Sequence, residues 1–242
     1  MRQINQIKIN EIVDSFKEYI VSTNLKEKIA KIFLFGSHVK GYAAPESDID
    51  ILIFTTDGKN TEKQIMDRVY DFMIDKGIPL EVVISNIYEL LVVPDYFIYN
   101  VTHNGLEVYS MEKEKLKKKM LEDLKNLSEE YLESAEEVLK TNRIRLAIDA
   151  AYNAAELAAK GLILLKQDDL PGSHGGVVSL FGKLYIKTNV INKETGRRLN
   201  IALKLRNEAR YKPDVLLTKE NALDVLNLAK ELVKIIYKSL KS

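Results

Sequence analysis

One stretch, Gly36-Ser37-His38-Val39-Lys40-Gly41-Tyr42-Ala43-Ala44-Pro45-Glu46-Ser47-Asp48-Ile49-Asp50, constrains this chain more than any other. It lies between two apolar runs, Ile32-Phe33-Leu34-Phe35 and Ile51-Leu52-Ile53-Phe54. The pattern predicts a strand, a Gly-Ser turn, a short polar connection, and a return strand that opens with two aspartates. Side chains on a strand alternate faces, so Asp48 and Asp50 share one face while Ile49 and Ile51 point into a core. Two carboxylates on one face repel each other unless a cation sits between them. Hard oxygen ligands suit Mg²⁺, which takes one or two protein carboxylates and completes its shell with substrate phosphates and water. Gly36 permits a crowded or left-handed backbone and close approach of a ligand. Ser37 offers a hydroxyl and an N–H at the start of a short helix, where anions are favoured. Phosphate-gripping groups beside metal-binding aspartates imply transfer chemistry on a nucleoside triphosphate.

The rest of the first half alternates helix and strand. Ile9, Ile12, Val13, Phe16 and Ile20 fall on one face of a helix within residues 1–29. Strands are expected at about 30–35 and 48–55, the second ended by Asp57-Gly58. Thr61 with Gln64 three residues on reads as a capping box. The helix it opens buries Ile65, Val69, Phe72 and Met73, and Gly77 closes it. Ile78-Pro79-Leu80-Glu81-Val82-Val83-Ile84 is a third strand, with Glu81 its one acid. Ser85 is expected to cap a short helix to Leu91, which Pro94 keeps from continuing. A helix over 95–104 stops at Gly105, and Leu106–Tyr109 forms a closing strand.

Gly-Ser, ten residues, then Asp-x-Asp resembles the signature of the polymerase-β-like nucleotidyltransferase superfamily, and most closely its minimal branch. That resemblance implies an α+β domain over residues 1–111, a mixed sheet with helices on one side. It implies two Mg²⁺ ions held by Asp48, Asp50 and Glu81, and ATP as donor with its triphosphate on Gly36 and Ser37. It also implies that Glu81, at the position of a third carboxylate, accepts the proton of the attacking hydroxyl. Many relatives carry Asp there, and the longer Glu is a departure.

Beyond residue 111 no strand pattern remains. Leu116, Met120, Leu124, Leu127, Tyr131, Ala135 and Val138 step by three and four through one long helix. An Ala-rich helix follows over about 142–166, small enough on one face to let neighbours approach closely. Further helices over about 176–187, 193–209 and 219–239 complete an all-α bundle over 112–242. Charge divides the same way: residues 1–111 carry 11 Lys and Arg against 16 Asp and Glu, and residues 112–242 carry 25 against 19. The basic half suits RNA or a protein acceptor, although mixed charge on helices is commonly a solvated surface.

Residues 173–183, Ser-His-Gly-Gly-Val-Val-Ser-Leu-Phe-Gly-Lys, with Arg206, Ala209 and Tyr211, resemble the HEPN superfamily. Active HEPN ribonucleases place a His four to six residues after that Arg. Here the window from 207 to 213 holds none, and Tyr211, a poor general base at neutral pH, stands in its place. His174 is expected to cap or pack a helix start. His38 and His103 are too scattered for a metal cluster and read as incidental.

The combined resemblance implies a Mg²⁺-dependent nucleotidyltransferase that moves AMP from ATP to a hydroxyl. The setting it evokes is a toxin–antitoxin pair in which a protein tyrosine is modified, with a homodimer through the helical domain. The alternatives are a nucleotide-binding regulatory or dimerisation protein without turnover, and a HEPN ribonuclease. There is no Cys, hence no disulfide and no thiolate metal site. No signal peptide or membrane-length apolar run is visible, so a cytoplasmic protein is expected.

Overall fold

The computed structural model describes residues 2–44, 47–58, 61–91 and 95–240. The chain forms two compact units, Met1–Leu116 and Lys117–Ser242.

The first unit holds helix α1 (Arg2–Val21), strand β1 (Ile29–Phe35), the short helix α2 (Gly36–Lys40), β2 (Ile49–Thr55), α3 (Glu62–Lys76), β3 (Leu80–Asn86), a 3₁₀ turn (Ile87–Leu91), α4 (Tyr96–Asn104) and β4 (Leu106–Ser110). The sheet runs in the order β3-β2-β1-β4. The β1–β2 and β1–β4 pairs are antiparallel, while β2 and β3, joined through α3, are parallel, so the sheet is mixed. One face of it carries Ile32, Leu34, Ile49, Ile51 and Ile53. These pack on Val13, Phe16 and Ile20 of α1 and on Ile65, Val69 and Phe72 of α3. The Phe16 and Phe72 rings meet edge to face at 5.2 Å, an arrangement that adds to the area they bury.

The helices are not confined to that face. Phe35 alternates with Leu34, and its ring meets Phe97 of α4 at 5.4 Å, so α4 covers the end of the opposite face. That opposite face is the one on which Asp50 lies.

Two expected caps give way to others. Thr61 has helical-side φ and ψ of −105° and −7° and no cap bond; its hydroxyl donates instead to Asp57 Oδ2. Ser85 sits inside β3, and it is Asn86 Oδ1 that accepts from the Tyr88 N–H at the head of the 3₁₀ turn. Pro94 lies outside the described residues, as do Pro45 and Glu46 of the opening stretch.

The second unit is helical throughout. Helix α5 (Lys113–Lys140) runs into it, followed by α6 (Ile144–Lys166), α7 (His174–Phe181) with a π-helical turn (Gly182–Ile186), α8 (Lys193–Tyr211) and α9 (Lys219–Ser239). The Ala-rich α6 is the central rod. Ala147, Ala151, Ala154, Ala155, Ala158 and Ala159 are all buried against its neighbours. A Cβ on Gly161 would fall 2.1 Å from Ile236 Cδ1, so the Ile236 side chain of α9 fills the space that this glycine leaves on α6. Among the described residues no helix is long and apolar enough to cross a membrane.

Candidate active site

The register of the sheet assembles the acidic cluster. Asp50 pairs with Phe35 across the antiparallel side and with Glu81 across the parallel side. Adjacent strands lie about 4.8 Å apart, so Asp50 and Glu81 stand side by side on one face. Asp48 precedes β2 and is exposed, and Ile49 between them is buried in the core. The electrostatics report the crowding. The Asp50 carboxyl is pushed above its ordinary value, first by its burial, then by the Glu81 charge, and further by Asp48. His38 and a backbone hydrogen bond from Ser37 pull it back.

The glycine that opens α2 is the other half of the arrangement. Gly36 has φ +72°, in the left-handed region, and a Cβ there would fall 1.8 Å from Asp50 Oδ2. The carboxylate therefore lies directly against the glycine backbone, in space that no other residue leaves open. Ser37 follows. Its N–H donates to the Asp50 carboxylate. The turn and the aspartate are thus one construction: Gly36 admits the carboxylate and Ser37 bonds it.

His38, expected to be incidental, is part of the construction. It is the buried residue of α2, and its Nε2 lies 3.1 Å from the Ser47 carbonyl oxygen. The signal in the sequence was adjacency, a histidine directly after the Gly-Ser pair. Its partner nine residues on was not readable without the fold. His103 lies apart from this cluster, stacked on Tyr99 with its Nδ1 2.9 Å from the Tyr99 carbonyl oxygen.

The donors are carboxylate oxygens, the type a hard divalent cation takes, and their mutual repulsion is what such an ion relieves. Among the described residues no group of three or more His, Asp or Glu side chains is gathered closely enough to hold a metal ion by itself. An open cluster of this kind fits Mg²⁺, whose shell a triphosphate and water complete, better than an ion held wholly by protein.

A second polar cluster lies inside the helical unit. Tyr152 and Glu156, one turn apart on the buried face of α6, are 0% and 5% exposed. Glu156 Oε1 accepts from the Tyr152 hydroxyl at 3.3 Å and from His174 Nδ1 at 2.6 Å. Burial first, then the charge and hydrogen bond of Glu156, hold the Tyr152 hydroxyl protonated far above the usual phenol range. On the other side of the Tyr152 ring, 5.9 Å from its centre, is the guanidinium of buried Arg206. Its Nε stands 3.5 Å from Asp149 Oδ1, an ion pair too long for a hydrogen bond. Arg210 grips the same Asp149 with two bonds, at 2.5 and 2.9 Å. His174 thus pairs with a buried acid, while Ser173 caps α7 by accepting from the Gly176 N–H. Below, Arg145 donates to the carbonyls of Glu208, Ala209, Lys212, Pro213 and Val215, which closes the exposed end of α8. Tyr211, the last residue of α8, is 69% exposed.

An acidic cluster set against a glycine turn, on a mixed sheet followed by a helical bundle, defines a class of two-part nucleotidyl-transfer protein. Comparison with known proteins agrees with that definition. Residues 17–114 match the model of the polymerase beta nucleotidyltransferase family, and residues 121–240 match that of the HEPN domain. A putative protein adenylyltransferase of Methanocaldococcus jannaschii is 33% identical over 42% of this chain and 100% of its own length. Two putative toxins of the same organism are 31% identical over 43% of this chain and 71% of their own length, and 32% identical over 50% and 89%. The chain belongs to the polymerase-beta nucleotidyltransferase family, with a HEPN domain following in the same polypeptide. It is a nucleotidyltransferase.

Proposed function

We propose that the enzyme transfers AMP from ATP, with Mg²⁺, to the hydroxyl of a protein tyrosine in a toxin–antitoxin-like setting. The observation that carries this reading is the crowding of Asp50 by Glu81 and Asp48 against Gly36. Like charges held together at a cost are what a cation and a triphosphate relieve. Asp48, Asp50 and Glu81 would hold the metal, two ions in all. Bound there, Mg²⁺ supplies charge neutralisation for the attacking and leaving oxygens. Gly36 gives the triphosphate a backbone without a side chain to approach, and the Ser37 hydroxyl donates to it. Glu81, at the exposed edge of the cluster, takes the proton of the acceptor hydroxyl. The acceptor oxygen forms its bond to the α-phosphorus, the α–β anhydride bond breaks, and pyrophosphate leaves with the electron pair. Positioning and charge stabilisation carry such a reaction, because the protein forms no bond of its own.

The helical unit presents its acceptors unequally. Tyr152 and Tyr185 are buried, Tyr131 and Tyr237 are 36% and 41% exposed, and Tyr211 is 69% exposed. Tyr211 is therefore the proposed target, reached in cis or across a homodimer of helical units. The names of the relatives, a putative protein adenylyltransferase and putative toxins, favour a protein acceptor. The basic balance of the helical half is the feature that favours contact with RNA.

The test is incubation with α-labelled ATP and Mg²⁺, following pyrophosphate release and the intact mass. Wild type should gain the mass of AMP, Tyr211→Phe should not, and Asp48→Asn should neither label nor release pyrophosphate. Full transfer by Asp48→Asn would falsify the assignment of the site. ATP binding without pyrophosphate release, across a panel of protein and small hydroxylated acceptors, replaces this reading with a nucleotide-sensing protein.

A further inference from the structure

Asp48 carries half of the proposed metal chemistry yet stands outside β2, which begins at Ile49. Ladder bonds therefore do not fix it from both sides. Its neighbours do. On the strand side the Ile49 N–H donates to the Pro79 carbonyl at 3.3 Å, which ties the entry of β2 to β3. On the other side the Ser47 carbonyl faces His38 Nε2 at 3.1 Å. Ser47 is itself bonded to Ala44, its N–H donating to the Ala44 carbonyl at 3.0 Å and its hydroxyl accepting from the Ala44 N–H at 2.9 Å. A carbonyl only accepts, so Nε2 of His38 carries the hydrogen. The imidazole is 8% exposed, on the short helix that begins with Gly36 and Ser37.

From this geometry we infer that His38 is a positioning residue for nucleotidyl transfer. By donating to the Ser47 carbonyl it latches the residue just before Asp48, and so sets Asp48 relative to Asp50 and the Gly36-Ser37 turn. The inference rests on the proposed reading of Asp48 and Asp50 as the metal carboxylates. His38 touches neither metal nor substrate in this role. It acts through the Ser47 backbone, on the N-terminal side of Asp48. A displacement of about 1 Å in a reacting group costs on the order of 10²-fold in rate, which is why a single hydrogen bond to the residue before Asp48 has kinetic weight.

Gln and Asn separate the latch from mere occupancy of the site. The amide nitrogen of Gln is as many bonds from the backbone as His Nε2, so the side chain of the His38→Gln variant still reaches Ser47. Asn falls one bond short. The whole chain is titrated with Mn²⁺ in the presence of a non-hydrolysable ATP analogue, with free Mn²⁺ counted by electron paramagnetic resonance and melting followed in parallel. Outer groups that orient metal ligands are worth about 10- to 100-fold in affinity or rate, so His38→Ala and His38→Asn should lose at least about tenfold in Mn²⁺ affinity and in kcat. KM for the triphosphate should move by less than about threefold, because the hydrogen bond removed is not one made to substrate. His38→Gln should stay within about threefold of wild type on all three readouts.

Wild-type Mn²⁺ affinity in both His38→Ala and His38→Asn overturns the inference. So does a Gln variant that falls as far as Ala while all variants melt at the wild-type temperature. If His38→Ala does not fold, the Gln and Asn pair decides alone. Asp48→Asn separates the two levels of argument. If it leaves Mn²⁺ binding intact, the reading of the site fails. If it abolishes binding while the His38 variants bind normally, only the latch fails.

Discussion

The two units each gather charged groups around a tyrosine or a glycine turn, and they gather them in opposite ways. In the sheet unit Asp48, Asp50 and Glu81 are all acids, and the cluster is partly open to solvent. Glu81 and Asp48 both raise the cost of ionising Asp50. In the helical unit Glu156 meets His174 and Tyr152, and Asp149 meets Arg206 and Arg210. There the charges alternate and each acid has donors on neighbouring side chains. The first cluster is incomplete without something positive from outside. The second sets a cation or a hydrogen-bond donor beside each of its acids. The difference teaches where to look for chemistry: an arrangement that costs stability persists for a reason other than stability, whereas a paired one explains itself by holding helices together.

The largest test of that contrast is Asp50→Asn. Removing one hard ligand from the open cluster should lower nucleotidyl transfer by about 10³-fold or more, measured as pyrophosphate release, while the chain melts no lower than wild type. Loss of both activity and fold would make the sheet cluster structural after all. Next is Gly36→Ala. A left-handed φ alone costs a non-glycine residue about 1–2 kcal/mol. The added Cβ also displaces the Asp50 carboxylate, which should lower turnover about 10²-fold. Calorimetry and the same pyrophosphate assay read the two effects separately.

The helical cluster should answer differently. Glu156→Ala strips buried Tyr152 and His174 of their acceptor and should cost about 2–3 kcal/mol in urea unfolding. Mn²⁺ binding by the sheet unit should remain within about twofold, since the clusters share no partner. If Mn²⁺ binding collapses with Glu156, the two clusters are one functional system and the comparison is broken.

How far these clusters were legible in the sequence follows the same division. The sheet cluster is local: Gly36, Ser37, Asp48 and Asp50 lie within one stretch, and strand alternation orients Asp50 away from the core, while Asp48 stands just before β2 rather than in the strand expected from 48. Glu81 stood out as the one acid in an apolar strand, and the register places it beside Asp50. The helical cluster is assembled from three helices distant in sequence, and α6 read simply as a small-residue packing surface. The signal that was there is Tyr152 with Glu156, a polar pair at i and i+4 among buried alanines, which has to find partners inside the bundle. Which partners it finds, His174 on α7 and Arg206 on α8, depends on how the helices cross. Caps failed for a related reason. Thr61 and Ser85 are the right residue types, but a cap is a backbone conformation as well as a hydroxyl. Thr61 has the wrong φ and ψ, and Ser85 is still in the strand. His38 was legible as a residue and not as a partner, because the Ser47 carbonyl carries no side-chain signature.

The smallest expected effect sharpens the contrast most directly. Because Asp50 is raised above its ordinary carboxyl value of 3.8, the folded chain binds its proton more tightly than the unfolded chain does. Between those two pKa values the folded state holds more protons, so this group's contribution to stability falls as pH rises and is gone above the folded value. Asn at position 50 carries no such proton. In metal-free buffer the melting temperature of Asp50→Asn, relative to wild type, should therefore climb as pH rises from the acid range toward neutral, and return toward zero difference below about pH 4. Mn²⁺ or Mg²⁺ should close the gap from the other side, because a cation between the carboxylates removes the repulsion that opened it. Glu156→Gln leaves the sheet cluster intact, so its melting difference from wild type should not change with metal. A gap at Asp50 that ignores both pH and metal would mean that its neighbours do not act on it, and the sheet cluster would then have no more claim to chemistry than the helical one.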